Sequence, residues 1–142
     1  MGRAKKEGSE VLKVWVGIPR DNVNFWVEFI RGLIIDSMSG ARGTMVYFLP
    51  WKVTDYFNKL VIAGRIEKVK KLSPYHYLKV YRILKCIAEK SGGLVIESGC
   101  LNTNCMRIGI PTTILNMDLD NLIRGCVYDV IILKKDYGIL RV

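Results

Sequence analysis

The sequence predicts an α+β domain, with a small helical bundle packed on one face of an antiparallel sheet of about four strands. Three observations lead there. Half of the 142 residues are hydrophobic, ample for a core. Segments with helical periodicity and clear stop signals fill the middle of the chain. Short β-leaning segments separated by Gly, Asn and Pro fill the C-terminal third, so helices and strands are segregated along the chain.

Taken in order, residues 1–9 read as a disordered basic arm, and residues 10–142 as one domain. Glu10–Ile18 alternates and is β-rich, a strand that Pro19 ends. Asp21 or Asn22 then caps a helix running to about Met38. On that helix Val23, Trp26, Val27, Ile30 and Ile34 form a core arc, which Phe25, Phe29 and Leu33 extend beyond what one sheet can cover. Such a helix is either central, or its Phe25/Phe29 flank is a subunit interface or a base-binding wall. Gly40–Gly43 is a loop, and Thr44–Leu49 reads as strand or helix lead-in. Pro50 suits a first helical turn, with a helix from Trp51 to about Ala63. Arg65–Leu72 continues it or stands as a short helix of its own. Ser73 and Pro74 open a third helix, which Gly92-Gly93 ends. Leu94–Ser98, Cys105–Ile110, Thr112–Leu115 and Val127–Leu133 lean to strand. Asp118–Arg124 reads as a short helical insertion, and residues 135–138 as a hairpin turn before a last strand, Ile139–Val142.

Net charge is +9, which favours a polyanionic partner. The charge is unevenly placed: residues 50–90 hold ten basic and three acidic residues, whereas residues 91–142 hold five of each. The same middle segment carries Trp51, Tyr56, Phe57, Tyr75, Tyr77 and Tyr81, with Tyr47 and Phe48 just before it. On the third helix Val80, Ile83, Leu84 and Ile87 make a core stripe headed by Tyr77. Tyr75, Lys79 and Arg82 follow the i, i+4, i+7 spacing on another face. Aromatics at helical spacing are usually core, Tyr77 and Phe57 foremost. Coincident charge and aromatic excess nevertheless suits single-stranded nucleic acid, because rings stack on bases and cations neutralise phosphates. The candidate backbone contacts are Arg20, Arg42, Lys52, Lys68, Lys70, Lys71, Lys79 and Arg82. Candidate stacking rings are Trp15, Trp51, Tyr56 and Tyr75, over a floor of Phe25 and Phe29.

Catalytic and cofactor motifs do not emerge. There is no P-loop, dinucleotide fingerprint or nucleophile elbow, and His76 is the one histidine. Glu97, Asp129 and Lys134 are the best carboxylate-lysine candidates for a metal-dependent nuclease, but their spacing fits no such site. The four cysteines lack metal-ligand spacing and read as buried small hydrophobes, with a Cys100–Cys105 disulfide as the sharper alternative. No cofactor, metal or catalytic residue is expected. No apolar run reaches a membrane span, and no secretory signal follows the basic N-terminus, so a cytoplasmic protein without membrane contact is expected.

The size, the helices-then-strands order and the aromatic-basic stretch from Tyr47-Phe48-Leu49-Pro50-Trp51-Lys52 through Tyr81-Arg82 resemble the ThermoDBP-related proteins of hyperthermophilic archaea. The resemblance spans about residues 10–142. It implies a helical bundle on a four-stranded antiparallel sheet, and a cleft taking unpaired bases into an apolar floor between basic rims. Founding members carry a C-terminal leucine zipper. This chain stops at Val142 without one, so an oligomer would use the domain surface. The expectation is therefore a non-enzymatic, sequence-tolerant binder of single-stranded DNA or RNA that forms a homo-oligomer. The rivals are a homo-oligomeric structural or interaction protein and, more weakly, a nuclease.

Overall fold

The computed structural model describes residues 22–64, 74–97 and 106–135. They form helix α1 (Val23–Met38), strand β1 (Met45–Phe48), helix α2 (Pro50–Ile62), helix α3 (Pro74–Ser91), strands β2 (Leu94–Glu97) and β3 (Met106–Pro111), a 3-10 segment (Thr112–Asn116), helix α4 (Leu119–Val127) and a π-helical turn (Tyr128–Ile132). The fold is α+β. Among the described residues the sheet has three antiparallel strands in the order β1-β3-β2, not four.

Local chemistry sets the helix ends. Asn22 Oδ1 accepts from the Phe25 backbone N–H at 2.9 Å, and Asp118 caps α4 by accepting from Asn121 N. Pro50 occupies the first turn of α2, where its missing N–H costs nothing. Gly40, Gly64 and Gly92 follow α1, α2 and α3 with φ near +80°, the left-handed stop that other residues adopt with strain.

Strand register separates two sheet faces. Val46 pairs with Ile110, and Phe48 and Val95 pair with Ile108; these side chains turn inward and are buried apart from the half-buried Val95. Tyr47 and Leu94 pair with Gly109, and Ile96 with Arg107, on the opposite face. Tyr47, Leu94 and Arg107 are exposed there. Helix α3 covers the inner face, packing on β3 and β2, while α4 packs on both α3 and α1.

Helix α1 is central. All eight apolar residues named for it are buried except Val23, which is half-buried, and the strip Asn24, Glu28, Arg31 and Ile35 is exposed. Its rings close on one another: Phe25 stacks on Phe29 at 5.8 Å, and Trp26 meets Phe29 edge-on at 6.2 Å. Helix α3 has the expected core stripe of Val80, Ile83, Leu84 and Ile87, and also buries Tyr81, Cys86 and Ala88. The ion pairs Arg31–Asp120 (2.9 Å) and Lys59–Asp36 (3.1 Å) join α1 to α4 and to α2 at the surface.

Two expected strands are helical. Thr112–Leu115 begins the 3-10 segment, because the ladder ends where Thr112 N donates to Thr44 O. Val127–Leu133 continues α4 into the π-helical turn. Its β-branched residues suit a strand, yet Ile123, Cys126, Val127, Val130 and Ile131 are buried at i, i+3, i+4, i+7 and i+8. That helical stripe is present in the sequence, but it runs across Arg124, where the expected helix ends.

The cysteine expectation is also corrected. Cys86 of α3 and Cys126 of α4 form a disulfide across 40 residues of sequence. Cys100 and Cys105, the arm 1–9, the expected strand 10–18, the segment 65–72 and the final strand 139–142 lie outside the described residues.

Candidate nucleic-acid interface

The residues expected to bind nucleic acid divide three ways. Trp15, Arg20, Lys68, Lys70 and Lys71 lie outside the described residues, as does the side chain of Tyr75 in the first turn of α3.

A second group is interior, which corrects the expectation of an accessible apolar cleft. Phe25 and Phe29 are sealed in the α1 aromatic cluster. Tyr56 meets Phe29 edge-on at 5.4 Å and sets its hydroxyl over Gly32, so its ring fills the α1–α2 crossing. Lys79 is only 6% exposed, and Arg82 is half-buried. The expected Tyr75/Lys79/Arg82 face is therefore not an open face: α3 packs against the sheet on one side and α4 on another. Tyr81 is fully buried, and burial, followed by the neighbouring Tyr77, pushes its hydroxyl above the usual tyrosine range. Tyr77 is half-buried, and its hydroxyl bonds Thr54 Oγ1 across α2 and α3.

The third group is on the surface. Trp51 is 61% exposed in the first turn of α2. Lys52 beside it is half-buried with Nζ 5.6 Å from the Phe48 ring centroid, and burial lowers its pKa. Arg42 is exposed in the loop entering β1. Between these two ends of β1 stands Tyr47, a ring outside the expected set of contacts. It is 38% exposed on the outer sheet face and lies against Gly109, where a Cβ would come within 2.8 Å of the ring. Arg107 is two residues along β3 on the same face. Among the described residues Arg42, Lys52 and Arg107 have no carboxylate partner, whereas Lys59, Lys90 and Arg31 do. A ring on the outer face of β1 next to Gly109 was deducible only with strand register known.

Asp129 sits in the π-helical turn, not on a strand, and is held by Lys90 and Lys135, each at 3.8 Å. Lys134 is exposed with φ 59°, and the side chain of Glu97 lies outside the described residues. Among the described residues no three His, Cys, Asp or Glu side chains are grouped to hold a metal ion. No described helix is long and apolar enough to cross a membrane. Comparison of the chain with protein families, with curated proteins and with solved structures finds no match.

Proposed function

We propose that the chain binds single-stranded nucleic acid without sequence preference, along a track from Arg42 past Tyr47 and Arg107 to Trp51 and Lys52. The exposure of Trp51 and Tyr47, with Arg42 and Lys52 at the two ends of β1 and Arg107 on the same sheet face as Tyr47, carries this reading; among the described residues none of these cations has a carboxylate partner. Each ring presents a face that any base can stack on, and the flanking cations can neutralise phosphates. Compared with the cleft implied by the ThermoDBP-related resemblance, the track is shallower, because Phe25, Phe29 and Tyr56 are consumed by the core.

Fluorescence anisotropy with labelled oligo-dT, oligo-U and duplex DNA over a salt series tests it. Single strands should bind more tightly than duplex, with log K falling linearly against log salt. Trp51→Ala and Tyr47→Ala should each weaken binding about 5- to 150-fold, from ~1–3 kcal/mol per stacked base, with the fold retained. Equal binding of all three oligonucleotides, none at low salt, or no effect of either substitution would reject the reading. A second reading, a homo-oligomeric interaction protein, draws on the exposed apolar Leu115, Met117, Tyr128, Ile132 and Leu133. Sedimentation showing a stable oligomer that ignores oligonucleotides would favour it.

A further inference from the structure

The Cys86–Cys126 disulfide bridges Cα atoms 5.7 Å apart, and both residues are fully buried. Along α3, Ile83 and Ile87 flank Cys86; Ile123 of α4 and Val130 of the π-helical turn flank Cys126, and all four are sealed. Helix α4 also packs on α1, and its Asp120 is paired with Arg31, so α4 is held by α1 as well as by α3. Thiol–disulfide exchange needs an attacking thiolate to reach a sulfur. In the folded molecule no sulfur of this pair meets solvent.

We infer that the bond is a one-way lock, made while α4 is undocked and then withdrawn from redox chemistry by the docking it stabilises. The oxidant required is a small-molecule disulfide. The thiolate of one cysteine attacks a donor sulfur, forming a mixed disulfide and releasing one donor thiolate. The second protein thiolate attacks the protein sulfur of that mixed disulfide, forming the Cys86–Cys126 bond and releasing the second donor thiolate. Two protein thiols lose two electrons, the donor disulfide gains them, and the two protons pass through water to the released thiolates. Reversal requires α4 to lift from α3, so the lock persists in reducing surroundings as long as the chain stays folded. This holds whether or not the surface binds nucleic acid.

The test refolds the whole chain with oxidised glutathione and maps its peptides. It then follows the Cys86–Cys126-linked peptide under dithiothreitol, in native buffer and in urea above the unfolding midpoint. Peptide mapping separates this pair from Cys100 and Cys105. The linked peptide should form, and native buffer should slow its reduction by about 100-fold or more relative to urea, as a cooperative opening requires. A missing linked peptide, or any smaller ratio of rates, overturns the inference.

Discussion

Substituting Gly32 by alanine sets a local preference against a tertiary contact, and the structure predicts which wins. In a helix interior alanine is favoured over glycine by ~1 kcal/mol, so the sequence alone predicts stabilisation. A Cβ at Gly32, however, would stand 1.8 Å from the Tyr56 hydroxyl oxygen and 2.9 Å from Cζ. The Tyr56 ring is 8% exposed and held edge-on against Phe29, so its tip cannot swing clear without parting α1 from α2. Overpacking of a buried site costs ~1–3 kcal/mol, and an overlap this deep belongs at the upper end. The net expectation for Gly32→Ala is a loss of about 2 kcal/mol, measured by urea unfolding. Tyr56→Phe removes the clashing oxygen and leaves a milder contact at the ring carbon. In that background Gly32→Ala should cost at least ~1 kcal/mol less, a coupling that a double-mutant cycle reads directly. Stabilisation by Gly32→Ala, or the same cost in both backgrounds, would refute the reasoning. Because Tyr56 is a core ring, Tyr56→Phe should also leave oligonucleotide affinity unchanged.

Asn22→Ala should cost ~1 kcal/mol in urea unfolding, with Asn22→Asp restoring most of it, since the cap accepts from Phe25 N. Alkaline titration should expose Tyr81. Its folded pKa is raised, so its share of stability is complete below the free tyrosine value of about 10 and is lost as pH rises above it. Tyrosinate absorbance should therefore include one group that appears only with unfolding, and Tyr81→Phe should remove that component.

Much of the fold was legible because it rests on local rules. The Asn22 cap, Pro50, Pro74 and the Gly92-Gly93 stop located the ends of three helices to within a residue or so. The core stripe of α3 followed from spacing alone. The functional surface was less legible, since periodicity tells which residues share a face and not whether that face meets water. Phe25, Phe29, Tyr56 and Lys79 have the composition of a binding cleft, and packing placed them inside. The exposure of Tyr47 depends on the register of β1 against β3, which residue spacing does not carry.

By itself, then, the sequence determined the α+β class, the boundaries of α1, α2 and α3, and the concentration of charge and rings in the middle of the chain. These are properties of short stretches, set by backbone sterics, capping and side-chain period. Tertiary structure decided which rings are buried, that residues 127–132 are helical, and that Cys86 meets Cys126. Each depends on segments distant in sequence competing for one interior, a competition settled by burial once the helices pack.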